Sequence, residues 1–220
     1  MLVRELISDG IMPLKKEDTG WDALSWMEDF RVLHLPLVDG KKLLGLISEY
    51  DIYNTHYFEE KIGKIPLSGN PIFVYDYQHA FDALSVLTQN QLTLLPVLDE
   101  HENYMGTVSM QALLMFVGNS FSISEPGGVV VLEMSINDYL LSEIAQIMES
   151  NDAKILSLMI HSEKDSTRIQ VSLKLNKSDL KGILQTLNRY NYNIIASFTD
   201  NAYYDDLRDR YDAFMNYLNI

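Results

Sequence analysis

The sequence has no cysteine. Disulfides, thiolate metal ligands and cysteine nucleophiles are thereby excluded. Basic side chains are few: 17 Lys and Arg stand against 31 Asp and Glu, a formal net charge of −14. A field of that sign repels nucleic acid and anionic membranes, so neither is expected as a partner. A phosphorylated ligand would need local cations. No apolar run approaches the roughly 18 residues that span a bilayer. The start, Met1-Leu2-Val3-Arg4-Glu5, has no basic region ahead of an apolar core. A signal peptide is therefore not expected, and a cytoplasmic address is the default. His34, His56, His79, His101 and His161 show no ligand-like spacing, and there is no His-Glu-x-x-His pair or Walker-type glycine loop. Neither a metal site nor a catalytic constellation is expected, and the chain does not read as an enzyme.

What is present is a hydrophobic content of 47% over 220 residues, enough for one large or two small cores. The organising stretch runs from Phe30 to Asp51. Leu35 to Val38 is a short apolar run, Asp39-Gly40 signals a tight hairpin, and Leu43 to Ile47 is the returning strand. Gly45 inside that strand marks a bulge or a close approach to the backbone. Ser48 then reads as a helix N-cap.

A reduced copy follows. Trp21-Asp22-Ala23-Leu24-Ser25 is answered by Phe81-Asp82-Ala83-Leu84-Ser85, an offset of 81 − 21 = 60. Pro36 is answered by Pro96 at the same offset, and Gly45 by Gly106 at 61, so the second hairpin is one residue longer. Two copies make a pair, not a solenoid. Packed together, they would bury the sheet face that each leaves open.

Taken in order, residues 1–62 form the first repeat. A short amphipathic helix covers Leu2 to Ser8, and Ile11 to Leu14 is extended. A helix capped by Thr19 or Asp18 buries Trp21, Leu24, Met27 and Phe30. The helix after Ser48 carries Ile52, Tyr53, Tyr57 and Phe58 and fades near Gly63. Ile65 to Asn70 is a linker. Residues 71–118 form the second repeat: a helix over 80–88, strands over 94–98 and 104–108, and a closing helix over 110–117. The Ser- and Gly-rich stretch from Gly118 to Gly128 is the domain boundary.

Residues 129–199 have another rhythm. A strand over 129–134 precedes a helix capped by Asn137 or Asp138, which buries Leu140, Ile144, Ile147 and Met148. Strands follow over 154–160 and through the strict alternation Ile169, Val171, Leu173, Leu175. A helix with Leu180, Ile183, Leu184 and Leu187 and a strand over 192–198 complete a βαββαβ order, the ferredoxin-like arrangement. In 200–220, Tyr204, Leu207, Tyr211, Phe214 and Leu218 mark one side of a last helix. The expected fold class is α/β in the α+β sense.

The stretch from Gly45 to Asp51 is the best candidate for binding. Ser48 and Asp51 sit one helical turn apart at a helix start. A carboxylate there accepts two hydrogen bonds from a vicinal diol such as a ribose, the Ser hydroxyl adds another, and a helix N-terminus favours anions. The same Ser48-x-x-Asp51 spacing also fits a capping box, which needs no ligand.

Leu33-His34-Leu35-Pro36-Leu37-Val38-Asp39, Gly45-Leu46-Ile47-Ser48-x-x-Asp51 and the Ala-Leu helix before them resemble the CBS domain, the tandem module named for cystathionine β-synthase. The likeness extends over residues 1–118 in both copies. It implies one pseudo-symmetric module, often a homodimer, that binds AMP, ADP, ATP or S-adenosylmethionine as a regulatory ligand in clefts between the copies, with no cofactor required. By that resemblance Asp51 holds the ribose and Ser48 lies beside it. Backbone around Met12, Pro13 and Leu33 to Leu35 frames the adenine. His34 either faces the phosphates or is simply a polar strand residue. Ala112 stands where the second copy needs its carboxylate, so one nucleoside site per chain is expected. Residues 129–199 are similar to an ACT domain in element order, and the whole resembles acetoin-utilisation type regulatory proteins. The ACT turn here, Ser135-Ile136-Asn137-Asp138-Tyr139, has no Gly, which favours dimerisation over amino-acid binding. The resulting expectation is a regulatory sensor acting on an unidentified protein target. The alternative is a ligand-free structural module.

Overall fold

A computed structural model describes residues 1–8, 10–56, 58–67, 70–162 and 166–199. The helix expected over 200–220 lies outside the described residues, as does Tyr57. The chain divides into two compact units, residues 1–116 and Val117 onward.

In the first unit, helix α1 spans Gly20–Phe30. Thr19 caps it: its hydroxyl accepts from Asp22 N at 3.2 Å, and Asp22 Oδ2 accepts from Thr19 N at 2.9 Å. The helix ends at Arg31, which adopts a left-handed conformation (φ 55°). Strands β1 (His34–Asp39) and β2 (Lys42–Ser48) form the expected hairpin, with Gly40 at φ +61° in the turn. The two turn residues are Gly40 and Lys41, one position later than the Asp39-Gly40 signal, because Asp39 pairs with Lys42. Helix α2 (Glu49–Thr55) stops at His56, where the chain turns left-handed (φ 58°). It is therefore shorter than the apolar pattern through Phe58 suggested.

The second repeat supplies β3 (Val74–Tyr75), α3 (Ala80–Gln89), β4 (Leu94–Leu98), β5 (Tyr104–Ser109) and α4 (Met110–Ser120). Helix α4 runs through Gly118, so the expected boundary stretch begins as helix. The repeat extends to fine detail. Leu14 bridges Leu37 in parallel, as Val74 pairs with Val97. Each hairpin slips register at the same place, beside Gly45 and beside Gly106.

The segments entering the repeats are exchanged. Residues Leu2 to Ser8 were expected as an amphipathic helix, but they form one 3-10 turn over Val3–Leu6, capped by the Glu5 carboxylate on Leu2 N (2.6 Å). That turn docks on the second repeat: Val3 N donates to Gln78 O at 2.9 Å, and the fully buried Val3 joins Val74, Ala83, Leu95 and Val108. In return, a 3-10 turn over Ile62–Lys64, where the chain leaves the first repeat and leads into the second, docks on the first, with Ile62 N donating to Asp18 O at 2.7 Å. Ile62 is buried among Leu14, Met27, Leu35 and Ile52.

Trp21 departs from expectation: it is 57% exposed, and α1 turns Ala23 and Met27 inward instead. Leu24 and Phe30 are only half-buried.

The second unit is an antiparallel sheet in the order β7-β8-β6-β9, from β6 (Val129–Ser135), β7 (Ile155–Ser162), β8 (Arg168–Leu175) and β9 (Asn193–Phe198). This is the ferredoxin-like order. Helices α5 (Leu141–Ser150) and α6 (Lys181–Arg189) contribute Ile144, Ile147, Met148, Ile183 and Leu187 to a core shared with Val130, Leu132, Val171 and Leu173. Leu140 is 55% exposed rather than buried. Ile136–Asp138 close a 3-10 turn of their own, so α5 begins only at Leu141 and Leu140 falls at its open end.

Candidate functional site

Strand β1 and the end of β2 bring most of the expected residues together. His34 lies directly across the ladder from Ser48, so their side chains share one face. Ser48 caps α2 and closes a box with Asp51. Asp51 Oδ2 accepts from Ser48 N at 2.9 Å and from Ser48 Oγ at 2.6 Å, while Ser48 Oγ accepts from Asp51 N at 3.1 Å. No described residue hydrogen-bonds Asp51 Oδ1. Leu33 is 52% exposed at the same end of the hairpin, and its carbonyl accepts from Glu49 N at 2.9 Å. Leu35 is fully buried in the core, so only its backbone faces the strand edge. Met12 and Pro13 lead into the Leu14–Leu37 bridge along the first half of β1, with Met12 59% exposed.

The sequence reading missed Thr93. Its hydroxyl accepts from Leu33 N at 2.9 Å and lies 3.2 Å from His34 Nδ1. One side chain of the second repeat thus fixes the start of β1 in the first. The available signal was the repeat offset, since Thr93 is the counterpart of Leu33: Met110 N donates to Thr93 O at 3.0 Å, as Glu49 N does to Leu33 O. Burial pushes the His34 imidazole below its ordinary 6.5, and the negative Asp51 pulls the other way.

Two further features bound the site. The space over Gly45, expected to admit a close approach, is met by Leu67, whose side chain would lie 3.2 Å from a Cβ there. An open groove of about 650 Å³ runs past Trp21, Arg31, Leu33, Glu49 and Tyr53. Leu33 is the member of the expected set that lines it.

Residues 3–55 and 62–119, about half of the chain, match the CBS domain. The chain belongs to the CBS domain family. Among curated proteins, this CBS chain is 23% identical over 113 residues to inosine-5′-monophosphate dehydrogenase of Methanocaldococcus jannaschii, covering 50% of this chain and 22% of that one. It is 25% identical over 87 residues to an uncharacterized protein of the same organism, covering 39% and 29%. The chain therefore spans about a quarter of the length of these relatives. Among solved structures, a CBS domain pair/ACT domain protein from Thermotoga maritima is similar at 19% identity and TM-score 0.48, over 54% of this chain and 98% of that one. CBSX2 of Arabidopsis thaliana, solved in complex with AMP, is similar at 21% identity and TM-score 0.46, over 54% and 96%.

In the second CBS repeat, Ser109 Oγ accepts from Ala112 N at 3.1 Å, so the cap survives without its carboxylate. Among the described residues, no cluster of His, Cys, Asp and Glu could hold a metal ion, and no helix is long and apolar enough to cross a membrane.

Proposed function

We propose that the CBS pair is a regulatory module that binds one adenosine-type ligand per chain. In this reading Asp51 grips the ribose diol, Ser48 lies beside it, His34 faces the ligand, and the backbone of Met12, Pro13, Leu33 and Leu35 frames the base. AMP, ADP, ATP and S-adenosylmethionine are the ligands to test. The carrying observation is the unspent oxygen of a half-buried carboxylate: Asp51 Oδ2 serves the cap, and Oδ1 has no partner among the described residues. Ligand binding would favour one arrangement of the module over another and so control a protein target.

Calorimetry with those four ligands tests the reading. Asp51→Ala should cost about 2–4 kcal/mol of affinity through two lost charge-assisted hydrogen bonds. Unchanged affinity would assign Asp51 to capping alone.

One observation favours a ligand-free structural module instead. Thr19 and Asp22 close a box of the same geometry at a helix start where no ligand is expected, with Thr19 N to Asp22 Oδ2 at 2.9 Å and Thr19 Oγ1 to Asp22 Oδ2 at 2.7 Å. Silence of every ligand in the panel would select this alternative.

A homodimer fits either reading. Repeat-related positions on the helices leave apolar side chains open: Trp21 and Phe81 at 57% and 54%, Tyr53 and Leu114 at 50% and 69%. A second copy presenting the same face would bury them. The ferredoxin-like unit is read as an ACT-like domain that supports assembly or passes the signal on.

A further inference from the structure

We infer that the repeat-1 cleft selects adenosine ligands that carry no phosphate charge: the neutral nucleoside, or an adenosine whose 5′ substituent is cationic. The inference rests on the adenosine-site reading above, and it comes from where the cations are. Between Ile65 and Ala153 the sequence contains no Lys or Arg at all. The second repeat, which supplies Thr93 to the site, adds no Lys or Arg of its own, and its Asp99, Glu100 and Glu102 stand on the turn whose Asn103 bridges Lys42, away from the site.

Four cations of the first repeat, Lys15, Lys16, Lys41 and Lys42, lie at the wrong end. Lys41 and Lys42 occupy the hairpin turn, opposite the end where His34 pairs with Ser48. Five rungs of extended strand separate the two ends, about 17 Å. Lys16 is tied to Asp39 at that same turn, 2.5 Å away. Lys15 follows Leu14 on the segment running parallel to β1, which carries it toward the turn as well. Arg31, at the end of α1 just before Leu33, is a basic residue on the near side. It lines a groove in which Glu28 and Glu49 outnumber it.

At the site itself the charges are negative. Asp51 and Glu49 occupy the first turn of α2. That helix has only seven residues, too short for its dipole to offset two carboxylates. His34 is half-buried beside Thr93, in surroundings that disfavour its proton. A triphosphate placed here would meet Asp51 and Glu49, and Arg31 on the near side already stands among Glu28 and Glu49. A 5′-ammonium or 5′-sulfonium group would meet those carboxylates favourably.

Calorimetry on the full chain, at low ionic strength and without divalent metal, tests the inference. The probes are 5′-amino-5′-deoxyadenosine, adenosine, AMP and ATP, which differ at the 5′ end. The expected order of affinity is that order, with at least a tenfold span from first to last, and added salt should narrow the span. Glu49→Gln should raise ATP affinity relative to adenosine severalfold. ATP binding tighter than adenosine, or a ratio that Glu49→Gln leaves unchanged, overturns the charge selection and leaves the adenosine site standing. Silence of all probes removes the site and the inference together.

Discussion

Thr107 is fully buried on β5, and its hydroxyl has no hydrogen-bond partner among the described residues. Its counterpart in the first repeat is Leu46, which packs among apolar side chains of both repeats. An unpaired buried hydroxyl costs about 1–3 kcal/mol. Thr107→Val keeps the shape and deletes the hydroxyl, so it should stabilise the protein by about 1 kcal/mol. Urea unfolding would show this as a raised midpoint at unchanged slope. His34 sets a pH dependence of definite sign. Its folded value lies below 6.5 because burial disfavours the cation. The unfolded chain therefore binds this proton more readily, so stability falls as pH drops through the ordinary histidine value and levels off below the folded one. Urea midpoints between about pH 7.5 and 5.5 should fall more for the wild type than for His34→Gln. Equal slopes would place the sensitivity elsewhere.

At the scale of elements, the two hairpins share a bulge but not its tolerance. Gly106 has φ +150°, and a Cβ there would lie 2.6 Å from Ile7 Cγ2. Gly45 meets only the flexible end of Leu67 at 3.2 Å. Gly106→Ala should therefore cost about 2–4 kcal/mol through strain and overlap, and Gly45→Ala less than about 1 kcal/mol. Paired urea melts would check the ratio, and a Gly106→Ala variant as stable as Gly45→Ala would contradict the exchanged N-terminal segment. These elements also show what the sequence disclosed. The hairpin strands, the longer second turn and the alternation of β8 were legible because strand period and turn chemistry are local. The offset of 60 made the pair legible because duplication copies local patterns together. Trp21 was misplaced because helical spacing identifies a stripe without saying what covers it. Helix α2 ran short because the left-handed turn at His56 ends it while the apolar spacing continues. Of the site, Ser48, Asp51 and His34 were readable from one contiguous stretch. Thr93 was not, because its role exists only once the two repeats meet.

At the scale of the whole molecule, the exchanged segments decide how the CBS pair folds. Val3 is fully buried in the second repeat's core, and Ile62 in the first's. Leu94 of the second repeat sits in the first repeat's core, and Tyr104 N donates to Lys41 O at 2.7 Å across the pair. Cut between the repeats, residues 1–67 would keep the seat for Ile62 but lose Leu94 and the seat for Val3. Residues 70–124 would lose Val3 and the strand Ser8 pairs with would stand open. Each buried aliphatic side chain left in water forfeits about 1.5–3 kcal/mol, against a whole-domain stability of about 5–15 kcal/mol. Two or three such losses exhaust the margin of a half. Neither fragment should therefore show a cooperative thermal transition alone, and mixing them should restore one together with far-ultraviolet circular dichroism of the intact pair. A sharp transition in residues 1–67 by themselves would mean that the exchange decorates an already stable repeat. The opposite result makes the cleft a property of the pair, since Leu33 and His34 are then held in place by Thr93 only when both halves are folded.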